Sequence, residues 1–94
     1  MKIEQVVCQV LRLEQVESKT ASCQDVVLLR IRTDEGLEGI GEADASPEVI
    51  KAIIDAPFSH NVACGLRELL IGENPLDSER LWQKMYRGTM YFGR

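Results

Sequence analysis

The chain has 94 residues, a net charge of -4, and 45% hydrophobic and 28% charged residues. That length fits one domain, and the apolar fraction excludes general disorder. The acidic balance argues against nucleic acid as a partner, because phosphate binding needs a basic footprint.

No apolar run is long enough to span a bilayer, and the opening MKIEQVV reads as a strand rather than a leader or anchor, so no membrane partner is expected. Cys8, Cys23 and Cys64 are odd in number and lack framework spacing, which predicts reduced thiols in a cytoplasmic protein. Charge is uneven along the chain. Acids dominate from Asp34 to Glu79, whereas the end carries Arg80, Lys84, Arg87 and Arg94 without an acid. So short a basic stretch reads as a solvated helix face or a docking surface.

In chain order, KIEQVVCQVLRL over 2–13 has the β-branched weighting of a strand, and the polar EQVESKTASC over 14–23 reads as a loop. QDVVLLRIRTD then alternates, with Val27, Leu29 and Ile31 on one face and Arg30 and Arg32 on the other. Asp34-Glu35-Gly36 supplies a hairpin loop, with Gly36 suited to positive φ, and LEGIGEA returns antiparallel. Gly39 and Gly41 share a face of that strand and would let something pack closely on it. The first strand completes a three-stranded meander.

Three helices follow. Ser46 as N-cap, Pro47 and Glu48 start the first, Val49, Ile50, Ile53 and Ile54 form its apolar stripe, and Pro57 stops it. The second is expected over about 62–71, ending at Gly72 and burying Leu66, Leu69 and Leu70. Asp77 caps the third, with Leu76 and Leu81 as a hydrophobic staple. Its inward stripe is Leu81, Trp82 and Met85, and Gly88 ends it. Strands first and helices afterwards define an α+β fold.

Several patterns suggest chemistry. The glycines lack both the P-loop spacing and the dinucleotide fingerprint, so they are no phosphate cradle. Glu38 and Glu42 share a strand face that Asp44 continues, but a divalent cation needs oxygens converging from more than one segment, and a solvated face accounts for them. His60 and Cys64 could pair as thiolate and imidazole, yet no third member is visible. In the 14–23 loop, Ser18, Lys19, Thr20 and Ser22 offer donors suited to a polyhydroxylated or carboxylated ligand, against the plainer reading of a solvated connection.

The phrases VVLLRIRTDEGLEGIGEA, LLIGENPLDSERLWQKMY and YFGR, in that order, resemble the N-terminal capping domain of the enolase superfamily, within the mandelate racemase and muconate-lactonizing group. The resemblance covers nearly the whole chain and is loosest at 55–64. It implies that residues 1–94 form one capping domain, whose C-terminal (β/α) barrel partner is absent from this chain. It also implies a cytoplasmic enzyme acting on a small carboxylate or sugar acid, with room for a homo-oligomer. In the family, proton removal next to a carboxylate relies on Mg²⁺ and on bases that all reside on the barrel. No catalytic residue and no metal ligand is therefore carried over.

What transfers is the role of two segments that close over substrate, here about 16–23 and 44–46. Lys19, Thr20, Ser22, Asp44 and Ser46 become the substrate-facing candidates, with a polar character suited to a sugar-acid dehydratase or racemase. The alternative is a stand-alone protein-interaction domain whose apolar underside docks another protein.

Overall fold

The computed structural model describes residues 1–15, 18 and 24–93. Strands β1 (Ile3–Arg12), β2 (Asp25–Thr33) and β3 (Glu38–Ala43) form one antiparallel sheet in the order β1-β2-β3. Helices α1 (Pro47–Asp55), α2 (Leu66–Leu70) and α3 (Ser78–Gly88) follow, then a 3-10 turn, Met90–Phe92. This is the expected α+β meander with helices.

Alternation places the core on one sheet face. Val27 is fully buried, Leu29 and Ile31 pack beside it, and Arg30 and Arg32 stay exposed. On β1, Ile3, Val6 and Cys8 are all buried, although strict alternation would turn Ile3 away from Val6. A register shift resolves this. Ile3 pairs with Thr33 and Gln5 with Arg32, so Glu4 is the extra residue of a bulge and both side chains face inward.

Between β2 and β3 the Thr33 hydroxyl accepts from the Leu37 N–H at 3.2 Å, and Gly36 takes φ +85°, so the loop chemistry read from the sequence holds. Ile54, Leu70 and Leu81 bring the helices onto the strand residues to complete the core.

Several local expectations give way to tertiary context. α2 begins at Leu66, not near Val62. The backbone before it is committed elsewhere: Ser59 and His60 N–H groups both donate to the Ala63 carbonyl, Tyr91 N–H to the Val62 carbonyl, and Cys64 N–H to the Gly88 carbonyl. Trp82 is not an inward residue. It is 56% exposed and stacks on Tyr86 with ring centroids 5.1 Å apart, while Leu81 is buried and Met85 packs on the core. Leu76 is exposed and forms no staple, and neither Ser46 nor Asp77 caps through its side chain. α1 also divides its apolar residues: Ile50 and Ile54 face the sheet, whereas Val49 is exposed.

The close approach expected at Gly39 and Gly41 occurs instead at Gly65, where a Cβ would lie 1.9 Å from the Ala56 carbonyl oxygen; at Gly39 and Gly41 it would meet nothing within 4 Å among the described residues. Gly65→Ala should therefore destabilise the chain by about 3 kcal/mol, because two backbones must part. Gly39→Ala should stay within about 0.5 kcal/mol of the parent, with both variants measured by urea titration.

Candidate functional site

An antiparallel meander sends its chain back and forth, so the connections after β1 and after β3 emerge at the same end of the sheet. The register shows it: Arg12 pairs with Asp25 and Val27 with Ala43. The Leu13 N–H donates to the Gln24 carbonyl at 3.0 Å and closes the neck of the 14–23 connection. A cleft of about 280 Å³ lies at this neck, lined by Leu11, Arg12, Leu13, Gln24, Asp25 and Val26. Beside this end the chain runs from Ala43 through 44–46 into α1, whose first residue, Pro47, is buried.

Of the substrate-facing candidates, Asp44 and Ser46 are exposed on that second connection. The Ser46 carbonyl accepts from the Ile50 N–H, while its hydroxyl makes no cap bond. Lys19, Thr20 and Ser22 lie outside the described residues, as does Cys23; Ser18 is exposed. Sequence reasoning passed over Arg12 and Asp25, which sit at the mouth only because of the register. No local motif marks them.

The other candidate groupings separate. Glu38 is 3.5 Å from the Arg30 guanidinium across the outer face, a diagonal cross-strand ion pair. His60 is exposed, with Nδ1 3.0 Å from the Ser59 hydroxyl and its ring edge-on to Tyr91, whereas Cys64 is buried with its thiol toward the Gly65 carbonyl. Burial pushes the Cys64 and Cys8 thiols above their ordinary range, so neither is poised as a nucleophile. Among the described residues no three His, Cys, Asp or Glu side chains converge as a metal site.

Charge is concentrated instead in two structural knots. Asp55 binds both Lys51 and Arg67, and these hydrogen bonds, led by that from Lys51, hold its carboxyl below the usual range. Arg67 also donates through Nε to the Val6 carbonyl at 2.8 Å. Glu73 receives Arg80 at 3.0 and 3.2 Å and Lys84 at 3.0 Å, which pulls its carboxyl down to about 2.

The sheet topology and the helices on its inner face define an α+β domain of the kind that opens mandelate racemase and muconate lactonizing enzymes. The chain belongs to this family: residues 2–93 match the one described as mandelate racemase / muconate lactonizing enzyme, N-terminal domain. It is 36% identical over 69 residues to a D-galactonate dehydratase from Cronobacter sakazakii, a match covering 71% of this chain and 16% of that protein.

Its fold superposes on a predicted mandelate racemase from Rhodobacter sphaeroides with a TM-score of 0.87 and 26% identity, over 97% of this chain and 24% of that one. A racemase from Streptomyces coelicolor A3(2), solved with bound magnesium, shares the fold at a TM-score of 0.71 and 22% identity, over 98% of this chain and 26% of that one. The chain thus spans a sixth to a quarter of the length of these proteins.

Because the folded-state value of Glu73 lies below its ordinary 4.5, its ion pairs stabilise the fold above about pH 4.5, and that contribution is lost as pH falls toward 2. A ¹³C-detected titration of the Glu73 carboxyl should show a midpoint near 2, moving back toward 4.5 when Arg80→Ala and Lys84→Ala are combined.

Proposed function

We propose that this chain is the capping, substrate-selecting domain of a Mg²⁺-dependent sugar-acid dehydratase or racemase, and that a (β/α) barrel domain is its partner. The observation that carries the reading is the convergence of the 14–23 and 44–46 connections at one end of the sheet, in a chain whose relatives include a D-galactonate dehydratase. Barrel enzymes hold their chemistry at the C-terminal face of the strands, and a domain with two polar connections at one end suits the mouth of such a site.

In this reading the residues of the chain do no bond breaking. Asp44 and Ser46, with Lys19, Thr20 and Ser22 from the other connection, contact the hydroxyls and carboxylate of the substrate and exclude water on closure. Lys19 supplies the positive charge for the carboxylate, and the hydroxyls of Thr20, Ser22 and Ser46 both donate and accept. The base and the Mg²⁺ site belong to the barrel, where proton removal next to a carboxylate takes place.

The 94-residue chain by itself should give no dehydration of galactonate in a coupled assay of the 2-keto product; measurable turnover would sink the assignment. Exchanged for the matching domain of the Cronobacter sakazakii enzyme, it should support Mg²⁺-dependent turnover of a sugar acid. In that chimaera Asp44→Asn and Ser46→Ala should change kcat/KM by about tenfold, equal to about 1.4 kcal/mol, with little effect on the melting temperature.

A further inference from the structure

On the helical side a second cleft, of about 410 Å³, opens between α3, α2 and the turn that precedes α2. It shares no lining residue with the cleft at the neck of the 14–23 connection. Its carboxylate content is what distinguishes it. Arg80, Lys84 and Arg87 line it, and among the described residues no Asp or Glu does.

These three lie on one face of α3, at spacings of four and three residues. Glu73 and Asp77, outside the lining, hold Arg80, and Glu73 also holds Lys84. Those acids fix two cations at the rim and offset much of their charge, and Glu68 adds negative potential at Cys64. Arg87 is in no ion pair among the described residues, and its guanidinium supplies the uncompensated charge.

The floor is apolar. Gly88 lets α3 close on α2, since a Cβ there would stand 2.6 Å from a methyl carbon of Leu69. Phe58, 60% exposed, forms a wall, and the Asn61 and Gln83 amides add donors at the edge. A fork-shaped cation beside an apolar floor binds a carboxylate or phosphate on an apolar body better than either does alone, because partial desolvation strengthens the charge-assisted bonds.

We infer that this cleft is a binding site for a small anion carried on an apolar body, an aryl carboxylate or aryl phosphate, with Arg87 as the anchoring cation and Phe58 as the apolar contact. The test is a ¹H–¹⁵N titration of the 94-residue chain with benzoate and with phenyl phosphate. Sodium chloride at matched ionic strength and benzyl alcohol serve as controls.

The amides of Asn61, Gln83, Arg87 and Gly88 should shift saturably with a Kd of about 1 mM, and neither control should reproduce this. Arg87→Ala should weaken binding about tenfold and Arg87→Lys less, at an unchanged melting temperature. Phe58→Ala should weaken the aryl ligands through loss of the wall. Shifts that never saturate, shifts that chloride reproduces, or undiminished affinity in both Arg87→Ala and Phe58→Ala would overturn the site.

Discussion

The contact on which the helical layer depends is the one that Arg67 makes with two other elements at once. Its Nε bonds the Val6 carbonyl of β1, and its guanidinium bonds Asp55 at the end of α1. α1 has nine residues and α2 five, both too short to be stable helices alone. Their order comes from being tied to the sheet. The same stretch also shields β1, since Ile3 donates to the Glu73 carbonyl at 2.7 Å and Gly72 donates to the Ile3 carbonyl at 2.8 Å. Residues 67–73 thus occupy hydrogen-bonding groups that an edge strand would otherwise present to solvent. The shortness of α2 follows, because the chain is needed along the strand edge rather than in a further turn of helix.

That arrangement makes the sheet asymmetric. β1 is bound by residues 67–73 and covered by α1, whereas the core-side positions of β3 next to Ile31 and Leu29 are the bare glycines 39 and 41. α1 is unbalanced in the same way. Beyond the side that buries Ile54, it presents Val49, Ala52 and Ile53, with Glu48 at the edge, to a groove of about 480 Å³ completed by Ala56 and Phe92. A helix apolar on more than one side normally has more than one neighbour. In the proposed reading those surfaces belong to an enzyme of which this chain is a part, and the strand residues of the buried cluster come from β1 and β2, with Ala43 of β3 packed against them.

The strands were legible because their signals are local: a two-residue period, a Gly at positive φ and a change of period at Ser46-Pro47. Most of what escaped notice arises from contacts distant in sequence. Trp82 sits beside Leu81 in a helical stripe, and composition favours burial for both, yet the sheet takes Leu81 and leaves Trp82 to Tyr86. Nothing near Gly65 in sequence announces that Ala56 will lie against it. Arg67 lies in no motif of its own, and its partners are 61 and 12 positions away. The candidate site was legible only as two connections, since Asp44 and Ser46 form no recognisable motif.

Topology therefore carries the functional argument further than any single residue does. Three strands joined as a meander must return the first and third connections to one end, whatever their side chains. The bulge at Glu4 shifts the register near the opposite end and leaves this geometry intact. The two connections are fastened differently. The second runs straight into the buried Pro47 and the Ile50 N–H bond, while the first is held at its neck by the pairing of Leu13 with Gln24. Side chains at 44–46 can change with little effect on the core, since among the described residues none of the buried cluster belongs to that connection. In the proposed reading, a scaffold of this kind separates the residues that fold the domain from those that would select a substrate.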